Sequence, residues 1–213
     1  MTRFIVRFAF LSALGILPAC TNATPPPGAL MAQAAYPTVG SSWVMRGTGS
    51  VRNPSEDYHF TAVSATYRGA PVYEIQYGNY IDVLNPQTFN LIANLADGRE
   101  TLAYSPDDGR FSWPLWVGKS WSVTATGESA QRITQLGYYR RVTAYEDVTV
   151  PAGTFKAFRI ETLPGMGVDS AYRLTLWYAP SVSYVVKSVS STSSSAQIGA
   201  GTITTEMVSP PQP

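Results

Sequence analysis

His59, in Glu56-Asp57-Tyr58-His59-Phe60, is the only histidine of the chain. A general base for a serine nucleophile would have to be this residue, because histidine is the usual proton acceptor of such triads. Ser55, Glu56 and Asp57 are its sequence neighbours, but triads are assembled from distant segments, and no Gly-x-Ser-x-Gly turn occurs anywhere in the chain. Three adjacent carboxylate pairs, Glu56-Asp57, Asp107-Asp108 and Glu146-Asp147, are the alternative chemistry, since a glycosidase needs two carboxyl groups across one bond. Neighbours on a strand point to opposite faces, so none of these pairs is a dyad by itself. Zinc of the usual kind is excluded by the shortage of soft ligands. Asp107-Asp108, in Tyr104-Ser-Pro-Asp-Asp-Gly-Arg, lacks the spacing of a calcium loop and reads as a hydrophilic hairpin turn. No catalytic, metal or cofactor residue is expected.

Cys20 is the only cysteine, so it has no disulfide partner in the chain. It follows a start, MTRFIVR, that carries two arginines and no acid, and a ten-residue apolar run from Phe8 to Leu17. A basic start and a short apolar run make a secretory signal peptide, and ten residues fall short of the roughly 20 a membrane-spanning helix needs. Leu17-Pro18-Ala19-Cys20 resembles the bacterial lipobox, in which Leu17 and Ala19 would be read by the signal peptidase and the Cys20 sulfur would carry a diacylglycerol. Ala32-Gln33-Ala34 also fits the small-residue rule of an ordinary cleavage site, although it lies well past the apolar run. Cleavage before Cys20 leaves 194 residues, with membrane attachment through two or three acyl chains, enough for stable anchoring. Thr21, in place of aspartate, implies by the same resemblance a lipid-anchored outer-membrane protein, facing the periplasm or the exterior.

The segment Thr21 to Thr38 contains four prolines and no charge, which reads as a semi-rigid tether of up to roughly 60 Å over residues 20–38. Behind it, residues 39–208 are long enough for one domain with a real core, and 209–213 read as a disordered tail. Without Arg3 and Arg7, the 15 basic residues become 13 against 14 acidic, a net charge of −1. Nothing in that balance suggests nucleic acid.

Period-two alternation sets the fold class. Trp121, Val123 and Ala125 alternate with Ser120, Ser122 and Thr124. Tyr73, Ile75 and Tyr77 share a side, as do Tyr172, Leu174, Leu176 and Tyr178, and as do Phe89, Leu91, Ala93 and Leu95. Asn53-Pro54, Asn85-Pro86, Asp97-Gly98, Asp108-Gly109, Pro151-Ala152-Gly153 and Pro164-Gly165 cut the chain into short pieces. The expectation is an all-β domain of ten to twelve antiparallel strands, a single strongly curved sheet or open barrel, with Trp121 and Phe158 in its core. Its 13 Tyr, 8 Phe and 5 Trp suit a filled core first, and an aromatic-lined cavity for an acyl chain, glycan or peptide second.

Three segments carry a resemblance. Asp147 to Ile160 (DVTVPAGTFKAFRI), Trp177 to Lys187 (WYAPSVSYVVK) and Pro114 to Trp121 (PLWVGKSW) resemble motifs of bacterial exported β-domains of unknown function, with Ser183 standing where a turn glycine is expected. The group is similar in general shape to curved-sheet lipoprotein carriers of the bacterial envelope, and it implies no catalytic residues. The functional expectation is a non-catalytic envelope lipoprotein that binds a hydrophobic molecule, glycan or protein, or acts as a scaffold. An envelope hydrolase using a carboxylate pair or an unusual serine is the alternative.

Overall fold

The computed structural model describes residues 24–50, 55–164, 172–192 and 201–213. Twelve strands follow in chain order: β1 (Ser42–Gly49), β2 (Glu56–Tyr67), β3 (Ala70–Tyr77), β4 (Tyr80–Leu84), β5 (Leu91–Ala96), β6 (Arg99–Ser105), β7 (Ser120–Glu128), β8 (Ile133–Val150), β9 (Gly153–Pro164), β10 (Tyr172–Ala179), β11 (Tyr184–Thr192) and β12 (Gly201–Gln212). Each pairs antiparallel with its chain neighbours, and β12 returns to β1 to complete a closed barrel. The all-β, antiparallel expectation holds, but the sheet is closed and not open. Residues 203–207 make most of the seam with β1, and residues 209–212, expected to be a loose tail, extend it as the end of β12, with Ser42 opposite Gln212. Proline has no N–H to give a ladder and is tolerated beside irregularities. Pro210 and Pro211 accordingly sit where the β1–β12 register shifts on both sides of Val44, whose N–H is taken by Ser209 Oγ at 3.1 Å.

A barrel of this strand number encloses more space than strand side chains fill, since about eight strands already close around a packed interior. The excess at one end is taken up by chain. Residues 29–37, expected to be tether, enter this end: Ala32 and Leu115 exchange backbone hydrogen bonds, Tyr73 Oη donates to Pro37 O, and Tyr178 Oη donates to Ala35 O. Tyr36 stacks on Phe89 at 4.4 Å and meets Tyr73, Tyr184 and Phe111 edge-on. It packs against both halves of the interior, one built on Trp43, Ile75, Leu84 and Met207, the other on Phe111, Leu115, Trp121, Phe158 and Tyr178. Residues 29–37 of the expected 20–38 tether are therefore packed into the barrel and are not a free spacer.

The loop between β6 and β7 shares this plugged end. The Asp108-Gly109 turn expected to close a hairpin instead opens a long, partly buried connection. Gly109 has φ +54, and a Cβ there would lie 2.6 Å from the Val123 methyls, so only glycine lets the loop lie against β7. Trp121 Nε1 donates to Gly109 O at 2.9 Å.

The Pro-Ala-Gly motif forms the tip of the β8/β9 hairpin. A register shift between Val142 and Ala144 bends the long β8, and Ala152 N–H donates to Met207 O. Val148 and Val150 are buried with Met207, Phe155 packs against them, and Phe158 is buried in the other half of the core. Ser183 adopts φ 52 after a short 3-10 turn, which is the conformation that made glycine the expected residue there. On the outward side, Val72, Val83, Ala93 and Ala103 form a separate buried cluster. A register shift at Val83/Leu84, with Ile92 as the extra residue on β5, divides the expected Phe89-to-Leu95 stripe: Leu91 faces the main core, while Ala93 and Leu95 join the outer cluster. Phe89 lies in the preceding loop at φ 57.

Candidate ligand-binding recess

The end of the barrel opposite the plug holds a recess of about 350 Å³ between β6, β7 and β8. Alternation directs Leu102 and Tyr104 of β6, Gly127 of β7, and Thr134, Leu136 and Tyr138 of β8 toward it, with Ser129 and Arg132 of the β7/β8 turn at its rim. Gly127 is opposite both Tyr104 and Thr134. A Cβ at this glycine would come 3.1 Å from Leu136 Cδ1 and 3.9 Å from Leu102 Cδ1, so any side chain here would press on the leucines that wall the recess. Apolar walls with a cation and a hydroxyl at the mouth suit a molecule with a hydrocarbon part and a polar or anionic end.

Asp82 projects into the lumen from β4. Tyr77 Oη and Asn94 Nδ2 donate to its Oδ1 at 3.1 and 2.7 Å. Desolvation raises the Asp82 pKa, with Arg110 and the two hydrogen bonds opposing the rise. Burial works against the Arg110 charge, but Asp108, Tyr36 and Asp82 outweigh it and hold its pKa above the ordinary value. Arg110 Nε lies 2.8 Å from Asp108 Oδ2. This network can fix loops and polarise the lumen. It contains no nucleophile aligned with a base.

A second, more open groove of about 560 Å³ lies at the plugged end, lined by Gln87, Asp107, Trp113, Trp121 and Thr124 among others. Asp107 there has a raised pKa through desolvation.

The residues singled out in the sequence do not converge. Cys20, Leu17 and Ala19 lie outside the described residues. His59 is exposed on β2, opposite Val44. Asp57 accepts two hydrogen bonds from Arg46 at 2.6 and 2.8 Å, and Glu56 accepts from Tyr58 Oη. Asp107 and Asp108 fasten a loop: the first accepts from Gly109 N and Asn90 Nδ2, the second from Leu91 N, Arg110 N and Arg110 Nε. Glu146 accepts from Trp177 Nε1 at 2.9 Å, and Asp147 pairs with Lys156. Among the described residues no group of three His, Cys, Asp or Glu is placed to hold a metal ion.

The aromatic surplus is mainly core, in a run of ring contacts from Tyr80 through Tyr77, Phe60, Trp43 and Tyr184 to Tyr36. The recess residues escaped the sequence reading because their convergence comes from three strands. The one local signal was Gly127, a glycine inside a strand pattern, which marks a close approach or a gap.

No family model and no curated protein matches the chain. Among solved structures it is similar to a candidate lipoprotein of Parabacteroides distasonis, with 13% identity, a TM-score of 0.44, and coverage of 85% of this chain and 99% of that one. It is also similar to the hypothetical lipoprotein YmcC of Escherichia coli, with 12% identity, a TM-score of 0.46, and coverage of 81% and 88%.

Proposed function

We propose that this protein is a non-catalytic, lipid-anchored envelope lipoprotein whose barrel takes up the hydrocarbon part of a small amphiphile. The recess at Gly127 carries this reading: it is apolar inside, it has Arg132 and Ser129 at its rim, and its volume is at the lower end of small-molecule sites. The occupation of every adjacent carboxylate pair by structural partners, and the exposed position of His59, support binding over hydrolysis. Attachment through Cys20 is supported by the lipobox resemblance and by Ala32. Cleavage after Ala34 would remove the Ala32–Leu115 pairing that seats the plug. The outer membrane is the proposed location, because Thr21 follows the cysteine.

The test is native mass spectrometry of the full chain expressed with its own signal, followed by titration with a fluorescent fatty acid. Binding by the wild type, lost at least tenfold in Gly127→Leu without loss of the folded β signature, is the expected result. An empty barrel whose affinity for the probe is weak and unchanged by Gly127→Leu would sink the proposal.

A further inference from the structure

The plugged end is poor in charge. Residues 24–45 and 111–118 contain no Asp, Glu, Lys or Arg, and neither do the connections 85–90 and 180–183 at the same end. Of the charged groups in the 106–110 connection, Asp108 is buried with Arg110 turned onto it, and half-buried Asp107 accepts from Asn90 and Gly109. Lys119, just beyond, is buried and donates to Ser112 O and Pro114 O. The opposite end carries Asp97, Arg99, Glu128 and Arg132 in its turns. Exposed large apolar side chains occur at both ends, with Tyr80 and Ile133 beside turns of the opposite one, but the plugged end holds the larger group. Leu30, Met31, Val39 and Val117, each between 46% and 57% exposed, lie at the plugged end. The antiparallel Ala32–Leu115 bridge brings the segment carrying Leu30 and Met31 alongside the one carrying Val117. These side chains form a patch around the point where the N-terminal segment enters the barrel.

We infer that this patch is a membrane-docking surface, resting in the interfacial layer of the bilayer that holds the anchor. The inference rests on lipidation of Cys20. Ten residues separate Cys20 from Leu30, a reach of about 35 Å at full extension, and a turn in which Ala29 N–H donates to Pro26 O takes up part of it. The anchor thus holds this end, and not the Arg132 end, next to the lipid. Exposed apolar side chains are the right chemistry for this layer, because attachment there grows with the apolar area buried at the boundary of headgroups and acyl chains. With the plugged end seated, the Gly127 recess faces away from the anchoring bilayer, toward other molecules or an opposing membrane.

The experiment uses the full-length protein in vesicles of equal parts phosphatidylethanolamine and phosphatidylglycerol. An added cysteine at Met31→Cys, Val117→Cys or Ile133→Cys carries an environment-sensitive maleimide dye. A lipidated Cys20 sulfur is a thioether and does not react. Ile133 is the control because it is 67% exposed and equally apolar, but lies on the opposite half. Dyes at 31 and 117 are expected to shift to shorter wavelength and to be quenched several-fold more by brominated lipid than the dye at 133. The difference should survive high salt, because the patch carries no cation to be screened. Equal quenching at all three positions, or dyes at 31 and 117 that report bulk water, overturns the docking surface. Reaction of the unsubstituted chain at Cys20 shows that the anchor reading has failed. The same positions in a Cys20→Ser background, added to preformed vesicles, then decide: a shift at 31 and 117 supports docking without the anchor, and none overturns it.

Discussion

Replacing Tyr36 with alanine separates a structural plug from a passive tether. Its ring meets four aromatic neighbours at centroid distances of 4.4, 5.3, 5.8 and 6.1 Å and joins the two halves of the core. Burying a side chain of this kind is worth about 1.5–3 kcal/mol. Ring pairs add about 0.5–1.5 kcal/mol each, less than additively because the neighbours also touch one another. The expected loss for Tyr36→Ala is therefore about 4 kcal/mol, in the range of other aromatic truncations. For a domain of this size that lowers Tm by about 8–16 °C. Tyr36→Phe keeps the ring and should cost about 1 kcal/mol or less. Urea denaturation of the full chain, followed by tryptophan fluorescence, gives both values if the slope stays constant. A loss below about 1 kcal/mol in Tyr36→Ala, at unchanged slope, would show that residues 29–37 are not part of the cooperative fold.

Phe158→Ala empties a fully buried site beside Tyr145 and should cost about 3–5 kcal/mol in the same assay. A cost near that of a surface change would mean that the hairpin carrying the Pro-Ala-Gly turn packs differently. Alkaline stability should fall steeply above pH 10. Burial pushes the Tyr36, Tyr73, Tyr178 and Tyr184 hydroxyls above the usual tyrosine range, so the folded chain keeps protons that the unfolded chain releases near pH 10. Their contribution is fully present below that pH and is lost as pH rises toward the folded values. Tyrosinate absorbance should show these four ionising only together with unfolding, and smooth titration of all 13 tyrosines in the folded state would contradict it.

The sequence by itself determined what depends on neighbours a few residues apart. The stripes Trp121/Val123/Ala125 and Tyr73/Ile75/Tyr77, and the hairpin turn at Asp97-Gly98, are local consequences of the pleat and of glycine's freedom, and they stand as read. The lipobox resemblance at Cys20 is likewise a linear signal and remains a reading of the sequence. Tertiary structure decided whatever depends on distant pairing. A bulge adds one residue and exchanges the two faces of a strand, so the single stripe expected from Phe89 to Leu95 splits between two clusters. The run Ser209 to Gln212 looks like a tail until β1 lies beside it, because proline argues against a strand only where its N–H would be needed. Tyr36 sits in a proline-bounded, uncharged stretch that resembles a linker in composition. It becomes core because closing twelve strands leaves interior volume that their own side chains do not fill, and the plug and the Gly127 recess divide that space between them.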